Sequence, residues 1–569
     1  MEVGQDMKIL ILGGYGVFGG RLIELLSDLP QLEILVSGRS AAKAQRFINQ
    51  CNSQSTLTPL AQDRANIAPA LAKQKPDLVV DASGPFQTYG QAPYGVVSAC
   101  IEAGIDYLDL ADGTDFVAAI SRLDAAAKDA GVFAIAGLST FPTLTAAVAA
   151  QFSRTATPTQ LRTGIAPSPY AGVGLNVLRA VFGYAGAPVA VKQAGNWESR
   201  PALADTMNYR VAVPGKRPLR CLPYSLADVP DNRLLTRSFP ALEAMWAGVG
   251  PTPVVLHRML NALARLRAKG LLPSLGWLTR PCHWLLNSLI LGEDRGGMFV
   301  HIHGEQEGRE VERSWHLLAE GAAGPRIPSM AAEAIIRKLL KGQRPLPGAR
   351  PSMGEVSLDD YQALFDKYGI HTGWRTHHPP QESLFQGHME RAFQRLDAPL
   401  RRFHALRAPV EWAGKAKVWP SANPLGWLVA RLFGFPRAAS QVEVRYRRSG
   451  TVDQEHWTRT FGKQTFRSKF FKGKGRNTGL LVERFGPIDV GVALVEDQGC
   501  LKVVPVTWAL LGVPLPNALV PGDKVRVCGG PQGYHFDIEI SAPIIGRIVR
   551  YQGYLNSEGE SPRPNAENA

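Results

Sequence analysis

Short apolar runs alternate with amphipathic stretches through the first quarter of the chain. The runs are rich in β-branched residues, whereas stretches such as 20–29 and 118–130 carry apolar residues at helical spacing. Continuous apolar strands separated by helices are typical of a parallel sheet covered on both faces. The pattern therefore predicts a doubly wound α/β domain over residues 1–140. Its strands are expected at 8–13, 32–38, 56–61, 77–83, 106–111 and 132–137.

The pattern loosens into mixed α/β sequence after residue 140. Two alternating segments, 297–304 and 310–319, predict neighbouring antiparallel strands, and a helix is expected over 329–341. Residues 375–382 contain adjacent histidines and prolines, which is typical of a linker. A second, mixed α/β domain is therefore predicted over 141–378.

A third, strand-rich unit is predicted over 383–556. It begins with an expected helix at 383–405, and its topology is left open between an α+β fold and a barrel. The polar, proline-containing stretch 557–569 predicts a disordered tail. The strands are expected at 441–448, 455–461, 479–485, 524–529, 534–541 and 545–555.

Charge is distributed unevenly along the 569 residues, whose formal net charge is +14. Between Arg401 and Gly479 there are 17 Lys and Arg against 4 Asp and Glu, so the basic character belongs to the C-terminal third. Such an asymmetry indicates a domain that meets a partner or a membrane surface. Within it, residues 466–476 interleave aromatics with cations. They suit single-stranded nucleic acid or an anionic membrane, but a strand and turn with a solvated face is favoured, and no nucleic-acid partner is predicted.

Cysteine spacing and the N-terminus bear on the cellular compartment. The six cysteines lie far apart and form no CxxC motif, so neither a zinc site nor a disulfide framework is predicted. The first residues lack the basic and apolar regions of a signal peptide. These features predict a cytoplasmic protein, with peripheral membrane contact as an alternative.

The clearest motif is a glycine-rich sequence directly after the first predicted strand, and both GxxGxxG and GxGxxG run through it. Its first glycines permit a tight turn, Gly16 lets the backbone approach a pyrophosphate, and Gly19 allows close helix–strand packing. The helix that follows offers unpaired N–H groups and its positive dipole end to phosphates. A dinucleotide-binding Rossmann domain is predicted, and the alternative is a glycine-rich turn without a cofactor. The predicted cofactor-binding residues here are Gly13, Gly14, Tyr15, Gly16, Val17, Phe18 and Gly19.

Two further turns at the same edge of the sheet refine the choice of cofactor. The second strand ends in Ser-Gly-Arg-Ser, without the carboxylate that binds the ribose hydroxyls of NAD. Arg39 and Ser40 can instead hold a 2′-phosphate, so NADP is predicted, and the alternative is a solvated arginine followed by a helix-capping serine. After the fourth strand comes a small-residue turn where a cofactor crosses the sheet, or else a plain strand–helix turn. Its residues are Ser83, Gly84, Pro85 and Phe86.

Taken in order, these segments resemble the NADP-binding domain of saccharopine-dehydrogenase-like proteins. The resemblance rests on ILGGYGVFGGRL, VSGRS, VVDASGPFQTYG, VVSACIEAGIDYLDLADG and AIAGLSTFP; it covers roughly residues 8–150 and continues faintly over 304–354. It implies a hydride-transferring oxidoreductase with the nicotinamide over the cleft between the first two domains. It also implies cofactor roles for the three turns above, and a place near the adenine for Asp63. The C-terminal third resembles an uncharacterised bacterial domain found fused to such modules.

The substrate is not expected to be that of the lysine pathway. Several substrate carboxylates would require a compact set of Arg and Lys, whereas residues 160–300 are apolar with scattered Arg. The family also includes lipid-modifying reductases, and an apolar or lipid-like substrate suits this sequence better. The stretch 254–291, apolar with two tryptophans, predicts contact with a membrane or lipid, and the alternative is a buried subdomain or dimer surface.

Candidates for chemistry follow the fifth and sixth strands. Asp109 and Asp112 could act as general acid or base, although turn formation by aspartate is the favoured alternative. Ser139 and Thr140 could border the nicotinamide. His301 and His303 share one face of a strand but have no evident third ligand, so no metal site is predicted. A non-catalytic NADP(H)-binding sensor or scaffold, whose basic C-terminal domain binds a partner, remains the competing hypothesis, and a homodimer is allowed.

Overall fold

The computed structural model shows two compact units. One comprises Met1–Tyr209 and Leu222–Thr372, and the other comprises Arg210–Cys221 and Gly373–Ala569. The first two predicted domains thus lie in one unit, and the short segment 210–221, expected in the second domain, belongs to the C-terminal unit. The structure describes residues 6–84, 86, 92–172, 174–288, 292–377, 382–405, 410–451, 453–530, 533–543 and 545–557.

The first unit begins with strands separated by helices, as the apolar runs predict. The strands are β1 (Met7–Leu12), β2 (Leu32–Gly38), β3 (Thr56–Ala61), β4 (Leu78–Asp81), β5 (Asp106–Asp109) and β6 (Phe133–Ala136). The helices are α1 (Val17–Leu25), α2 (Ala41–Ile48), α3 (Ala68–Gln74), α4 (Gly95–Glu102), α5 (Thr114–Ala119), α6 (Asp124–Asp129) and α7 (Thr145–Ser153). The strands are parallel in the order β6-β5-β4-β1-β2-β3. Strand order reverses between β1 and β4, the position at which doubly wound sheets bind ligands.

The rest of the first unit is a mixed sheet with helices, as predicted. Its strands are β7 (Thr157–Ala166), β8 (Pro188–Gln193), β9 (Asn196–Pro201), β10 (Thr206–Tyr209), β11 (Leu222–Leu226), β12 (Ala244–Val249), β13 (Arg295–Gln306), β14 (Arg309–Glu320) and β15 (Gly348–Pro351). A further strand, β16 (His371–Thr376), begins in this unit and ends in the other. Its helices are α8 (Leu175–Tyr184), α9 (Asp231–Ser238), α10 (Val254–Ala268), α11 (Thr279–Ser288), α12 (Ile327–Leu339) and α13 (Leu358–Lys367). The main path of the sheet is β10-β11-β12-β7-β13-β14-β16, and β15 returns to pair with β6.

Two packing contacts hold the covering helices in place. Helix α12 lies on α1, where the Ser329 hydroxyl donates to the carbonyl of Phe18 at 3.0 Å. Helices α8, α10 and α11 share a small apolar core that includes Leu178, Phe182 and Leu275. The first contact anchors the helix that follows the glycine-rich turn, and the second positions α8.

The C-terminal unit is an antiparallel barrel. Its helices are α14 (Leu384–Met389), α15 (Ala398–Ala405) and α16 (Pro424–Leu432). Its strands are β17 (Val410–Trp419), β18 (Ala439–Gly450), β19 (Gln454–Phe461), β20 (Gln464–Lys472), β21 (Leu481–Phe485), β22 (Ile488–Asp497), β23 (Cys500–Leu510), β24 (Val513–Pro514), β25 (Gly522–Gly530), β26 (Gly533–Ala542) and β27 (Gly546–Ser557). In the described part of the unit, pairing of β22 with β23 closes a ring of all these strands except β24.

The helix expected over 383–405 is interrupted. Helix α14 ends at Met389, because Glu390 adopts a positive φ of 51° that an α-helix does not accommodate. A 3-10 turn over Glu390–Arg395 then leads to α15. Side chains of both helices, among them Phe385 and Phe403, pack in the same buried core as the barrel strands.

Part of the positive charge of the barrel lies inside it. Arg448 pairs with Glu455 at 2.8 Å with both side chains 3% exposed, and Arg459 pairs with Glu483 at 3.1 Å. Strand alternation explains the placement, because Arg445 and Arg447 point outward where Arg448 points inward. The basic and aromatic run at 466–476 begins within β20 with buried Phe466 and Phe470, which confirms the favoured strand interpretation.

The cysteine prediction is wrong at one pair. Cys500 and Cys528 form a disulfide with an S–S distance of 2.08 Å. They are 28 residues apart in sequence, but β23 pairs with β25 and places Leu501 opposite Val527, so the neighbouring cysteines face each other. Spacing along the chain does not reveal a pairing that sheet register creates. Cysteine spacing therefore no longer supports the prediction of a cytoplasmic protein.

No helix among the described residues combines the length and apolar character needed to cross a membrane. The stretch 254–291 is accordingly divided into α10, a 3-10 turn at Leu275–Leu278 and α11, and its last three residues lie outside the described part of the chain.

Candidate functional site

A cavity of about 810 Å³ lies over the carboxyl ends of the first sheet, at the point where strand order reverses. Turns after β1 to β6 form one side of it, and the start of α8 together with Pro328 forms the other. It is lined by Leu12, Gly13, Tyr15, Gly16, Val17, Phe18, Gly38, Arg39, Gln62, Asp63, Arg64, Ala82, Ser83, Gly84, Phe86, Leu110, Asp112, Ser139, Gly174, Leu175, Val177, Arg179, Ala180 and Pro328. The volume falls within the range of small-molecule and cofactor sites.

The glycine-rich turn is shaped by contacts that only glycine permits. Gly13 has φ of 73°, and a Cβ atom there would lie 2.8 Å from the carbonyl oxygen of Ala82. A Cβ at Gly19 would clash with the carbonyl oxygen of Gly13, so α1 packs directly on the turn. Gly16 is the N-cap of α1 and supplies no side chain to cap it. Within the part of the chain that the structure describes, no side chain caps the first-turn amides beside the cavity, which suits an anionic ligand. Of the predicted loop residues, Gly14 and Gly19 shape the turn without lining the cavity.

The two residues predicted to read a 2′-phosphate have different environments. Arg39 is exposed, lines the cavity, and forms no hydrogen bond or ion pair with another described residue. Ser40 caps α2, where its hydroxyl accepts from the amide of Lys43 at 3.4 Å, and it does not line the cavity. The amide of Ser40 donates to the Tyr15 hydroxyl at 3.2 Å, which ties the two turns together. Arg39 is thus the available cation, and Ser40 has the capping role that the alternative described.

The turn after β4 is organised by a residue that the sequence argument did not consider. Asp81 is fully buried, and one of its oxygens accepts from the amide of Ser83 at 2.9 Å and from its hydroxyl at 2.5 Å. The other carboxylate oxygen lies 3.7 Å from the guanidinium of Arg64, which lines the cavity. Gly84 and Phe86 line the cavity too, whereas Pro85 lies outside the described residues. The sequence did contain a signal for this ion pair, because an aspartate ends β4 and an arginine directly follows Asp63.

Asp63 reaches the cavity at the position the resemblance implies, in the turn after β3. Its carboxylate accepts from the amide of Ala65 at 2.9 Å and so caps a short 3-10 turn. The side chain is therefore held at the edge of the cavity by the local backbone.

The two aspartates considered for catalysis occupy different sites. Asp109 is fully buried and does not line the cavity; its carboxylate accepts from the amides of Gly137 at 2.7 Å and Ala111 at 3.0 Å. Burial raises its pKa to about 7. Asp112 lines the cavity together with Ser139, whereas Thr140 is buried away from it. Asp112 is therefore the acid–base candidate that the geometry retains, and Asp109 forms the turn.

Helix α8 was not singled out from the sequence, yet it forms the far side of the cavity. Leu175, Val177 and Ala180 give this side its apolar surface, and Arg179 adds a cation. A Cβ on the N-cap, Gly174, would lie 3.8 Å from a methyl group of Val17, so the helix begins directly opposite the glycine-rich turn. An apolar helix facing a phosphate-type turn leaves no sequence motif, and only the fold shows it.

Comparison with known families agrees with this geometry. Residues 9–135 match the model of the saccharopine dehydrogenase NADP binding domain. The N-terminal part of the chain is therefore similar to a saccharopine-dehydrogenase-type NADP-binding domain. Residues 396–555 match a domain of unknown function, DUF4166, so the resemblances of both ends are confirmed. No curated protein matches the chain.

Several solved structures are similar to part of the chain. A probable dehydrogenase from Thermotoga maritima is 10% identical and covers 63% of this chain and 97% of its own, with a TM-score of 0.32. Amine dehydrogenase from Mycobacterium smegmatis, 10% identical, covers 61% and 94% with a TM-score of 0.33. The C. glutamicum DAP dehydrogenase, 12% identical, covers 63% and 99% with a TM-score of 0.33.

The buried carboxyl of Asp109 is expected to make the NADP-binding domain lose stability as pH rises. Its folded pKa of about 7 exceeds that of an unfolded aspartate, about 3.9, so the folded state binds the extra proton between these values. Stability therefore falls from about pH 4 to about pH 7, where the loss is complete. Asp109→Asn keeps an acceptor for both amides. Across this pH range, its free energy of unfolding is expected to rise relative to that of the wild type by up to about 4 kcal/mol.

Urea unfolding at about pH 5 and about pH 8 measures this effect. Asp129→Asn is the matched control, because Asp129 is exposed. Parallel pH dependence of the wild type and Asp109→Asn would show that Asp109 is ionised throughout.

Proposed function

We propose that the chain is an NADPH-dependent oxidoreductase that transfers a hydride to an apolar, lipid-like carbonyl or imine substrate. The observation that carries the proposal is the cavity itself. The glycine-rich turn, Arg39 in the turn after β2, and the apolar helix α8 all line one space of about 810 Å³. The NADP-binding family at this position supports the choice of cofactor.

The residues present fit NADP along the length of the cavity. The uncapped start of α1 suits the pyrophosphate, and Arg39 suits the 2′-phosphate because no carboxylate competes for it at the end of β2. Asp63 lies where the adenine would be held. Ser83 and Ser139, which line the cavity at the ends of β4 and β6, would hold the nicotinamide end. When bound, the cofactor supplies the hydride.

Asp112 is positioned to manage the proton of the same reaction. Reduction of a carbonyl or imine adds a hydride to carbon and a proton to oxygen or nitrogen, so a general acid is needed. Asp112 follows β5 and lines the cavity on the side of Ser139. Within the described residues that line the cavity, Asp63 is the other carboxylate, and it lies at the adenine end.

The substrate side of the cavity favours an apolar molecule. The start of α8 presents aliphatic side chains to the cavity, and other residues of the same helix, Leu178 and Phe182, pack in the core shared with α10 and α11. An apolar wall on this side reduces the access of water to the reacting atoms, which protects a hydride donor from side reactions.

Turnover of NADPH with long-chain ketones, aldehydes and imines is the direct test. Oxidation of NADPH that depends on one of these compounds is the expected result. Tight NADPH binding without turnover of any of them would favour the sensor or scaffold hypothesis. Native mass spectrometry of the purified protein would identify a retained substrate-like molecule.

We further propose that the segment 254–288 contacts an anionic membrane surface. It carries five Lys and Arg and no Asp or Glu. The outward face of α10 places Val255, Met259 and Leu266 among arginines, and Trp277 and Trp284 are 69% and 70% exposed. Exposed tryptophans beside cations are typical of helices that lie in the interface of a bilayer. This exposure disagrees with the alternative of a buried subdomain. The experiment below distinguishes a membrane-binding surface from a dimer surface.

Replacing both Trp277 and Trp284 with alanine is expected to weaken binding to anionic vesicles at least about tenfold, since each ring buries a large apolar area. Vesicle co-sedimentation at low salt is the measurement. Trp197→Ala is the control, because Trp197 is 52% exposed on β9. Unchanged vesicle binding of the double variant would contradict the membrane assignment. So would a double variant that still binds vesicles but has lost a dimer seen for the wild type by size-exclusion chromatography.

A further inference from the structure

The hairpin of β13 and β14 brings three metal-ligating side chains together. His301 and His303 lie two residues apart on one face of β13, and Glu312 on β14 lies directly opposite His303. One ligand atom from each of the three lies within 4.8 Å of the others. The sequence supplied two histidines and no third ligand; strand pairing supplies Glu312.

The hairpin holds the three side chains on a defined framework. Its strands are joined by two residues, Glu307 with φ of 53° and Gly308 with φ of 75°, so the register is set close to the cluster. The cluster is half-buried, which limits competition from water. None of its residues lines the cofactor cavity, so the cluster is separate from the NADP site.

Two contacts hold the ring of His301 in a defined orientation. The Glu312 carboxylate lies 2.8 Å from Nε2 of His301, and the Tyr209 hydroxyl lies 3.1 Å from Nδ1 of the same ring. A hydroxyl on Nδ1 leaves Nε2 to face the carboxylate, as in metal sites whose histidines are held by an outer partner. The ring of His303 is parallel to that of His301, with centroids 5.0 Å apart, and its nitrogens form no hydrogen bond with a described residue.

We propose that His301, His303 and Glu312 bind a divalent transition metal ion, with zinc the best match to the donor set. Two imidazoles and one carboxylate are common zinc ligands, and tetrahedral ligand atoms stand about 3.3 Å apart, which small side-chain rotations achieve here. Three protein ligands leave a fourth position open for water or a small anion. Glu310 adds a second carboxylate on this face, and Arg162, opposite His301 on β7, suits an anion at the open position.

Zinc titration of the full, tag-free chain after chelator treatment and dialysis tests the proposal. The expected result is one zinc per chain with a rise in Tm, and affinity at least about tenfold weaker in His303→Ala and Glu312→Gln. His456→Ala, an exposed histidine of the barrel, is the matched control and should bind as wild type does. Tyr209→Phe should weaken zinc binding about tenfold as well, because it removes the hydroxyl that orients His301. A site that does not depend on this hydroxyl would show no change.

Cobalt substitution adds a readout that does not depend on stability, since four-coordinate Co²⁺ gives an intense visible spectrum. Loss of that spectrum in His303→Ala, with the circular dichroism of the wild type, supports the site. Failure of the wild type to bind zinc stoichiometrically would overturn the proposal. Equal zinc affinity in the wild type and both ligand variants would overturn it too, by placing the metal elsewhere.

Discussion

Replacing Arg39 with alanine is expected to weaken NADPH binding about ten- to a hundred-fold and to leave NADH binding nearly unchanged. A charge-assisted hydrogen bond to phosphate contributes about 1.5–3 kcal/mol, and Arg39 is exposed at the cavity without a competing partner among the described residues. Because β2 ends without a carboxylate, NADH gains little at this position. Fluorescence or calorimetric titration of both cofactors, at one fixed salt concentration, measures the effect.

Arg46→Ala is the matched control for this experiment. Arg46 is exposed on α2 but does not line the cavity, so its replacement removes the same charge seven residues away without touching the site. Equal affinities of the wild type for NADPH and NADH would contradict the role of Arg39. An Arg39→Ala variant that loses both cofactors equally would show that the arginine holds the turn together instead.

Gly19→Ala is expected to weaken the binding of both cofactors strongly, whereas Arg39→Ala is expected to weaken the binding of NADPH alone. The new methyl group would clash with the carbonyl oxygen of Gly13, which belongs to the rigid turn and cannot rotate away as a side chain would. The turn must move, and its amides can then no longer donate to the pyrophosphate. The affinity for NADPH and for NADH is therefore expected to fall at least about a hundred-fold. Overpacking of this kind also costs about 1–3 kcal/mol of stability.

The same titrations, with urea unfolding to separate binding from folding, test this prediction. Gly95→Ala is the control: Gly95 begins α4, and a Cβ there has no atom within 4 Å. NADPH affinity close to that of the wild type in Gly19→Ala would mean that the turn does not carry the pyrophosphate.

The sequence by itself determined the local structure of the NADP-binding domain. Strand positions, the glycine-rich turn and the missing carboxylate after β2 are properties of short segments, because apolar periodicity and turn chemistry act over a few residues. The predicted strands β1 to β6 and the antiparallel pair β13 and β14 were confirmed within a few residues. The change to a basic, strand-rich C-terminal unit was visible in the same way.

Only the tertiary structure decided which distant residues meet. The pairing of Cys500 with Cys528, the third ligand Glu312 and the apolar wall formed by α8 all depend on strand register or on packing between elements far apart in sequence. Asp109, the last residue of β5, and Asp112, three residues later, look equivalent in sequence. The Asp109 carboxylate is nevertheless buried and accepts from two amides, whereas Asp112 lines the cavity. Side-chain direction at the end of a short strand follows from the surrounding core, because burial and the available hydrogen-bond donors are set by elements the local sequence does not contain.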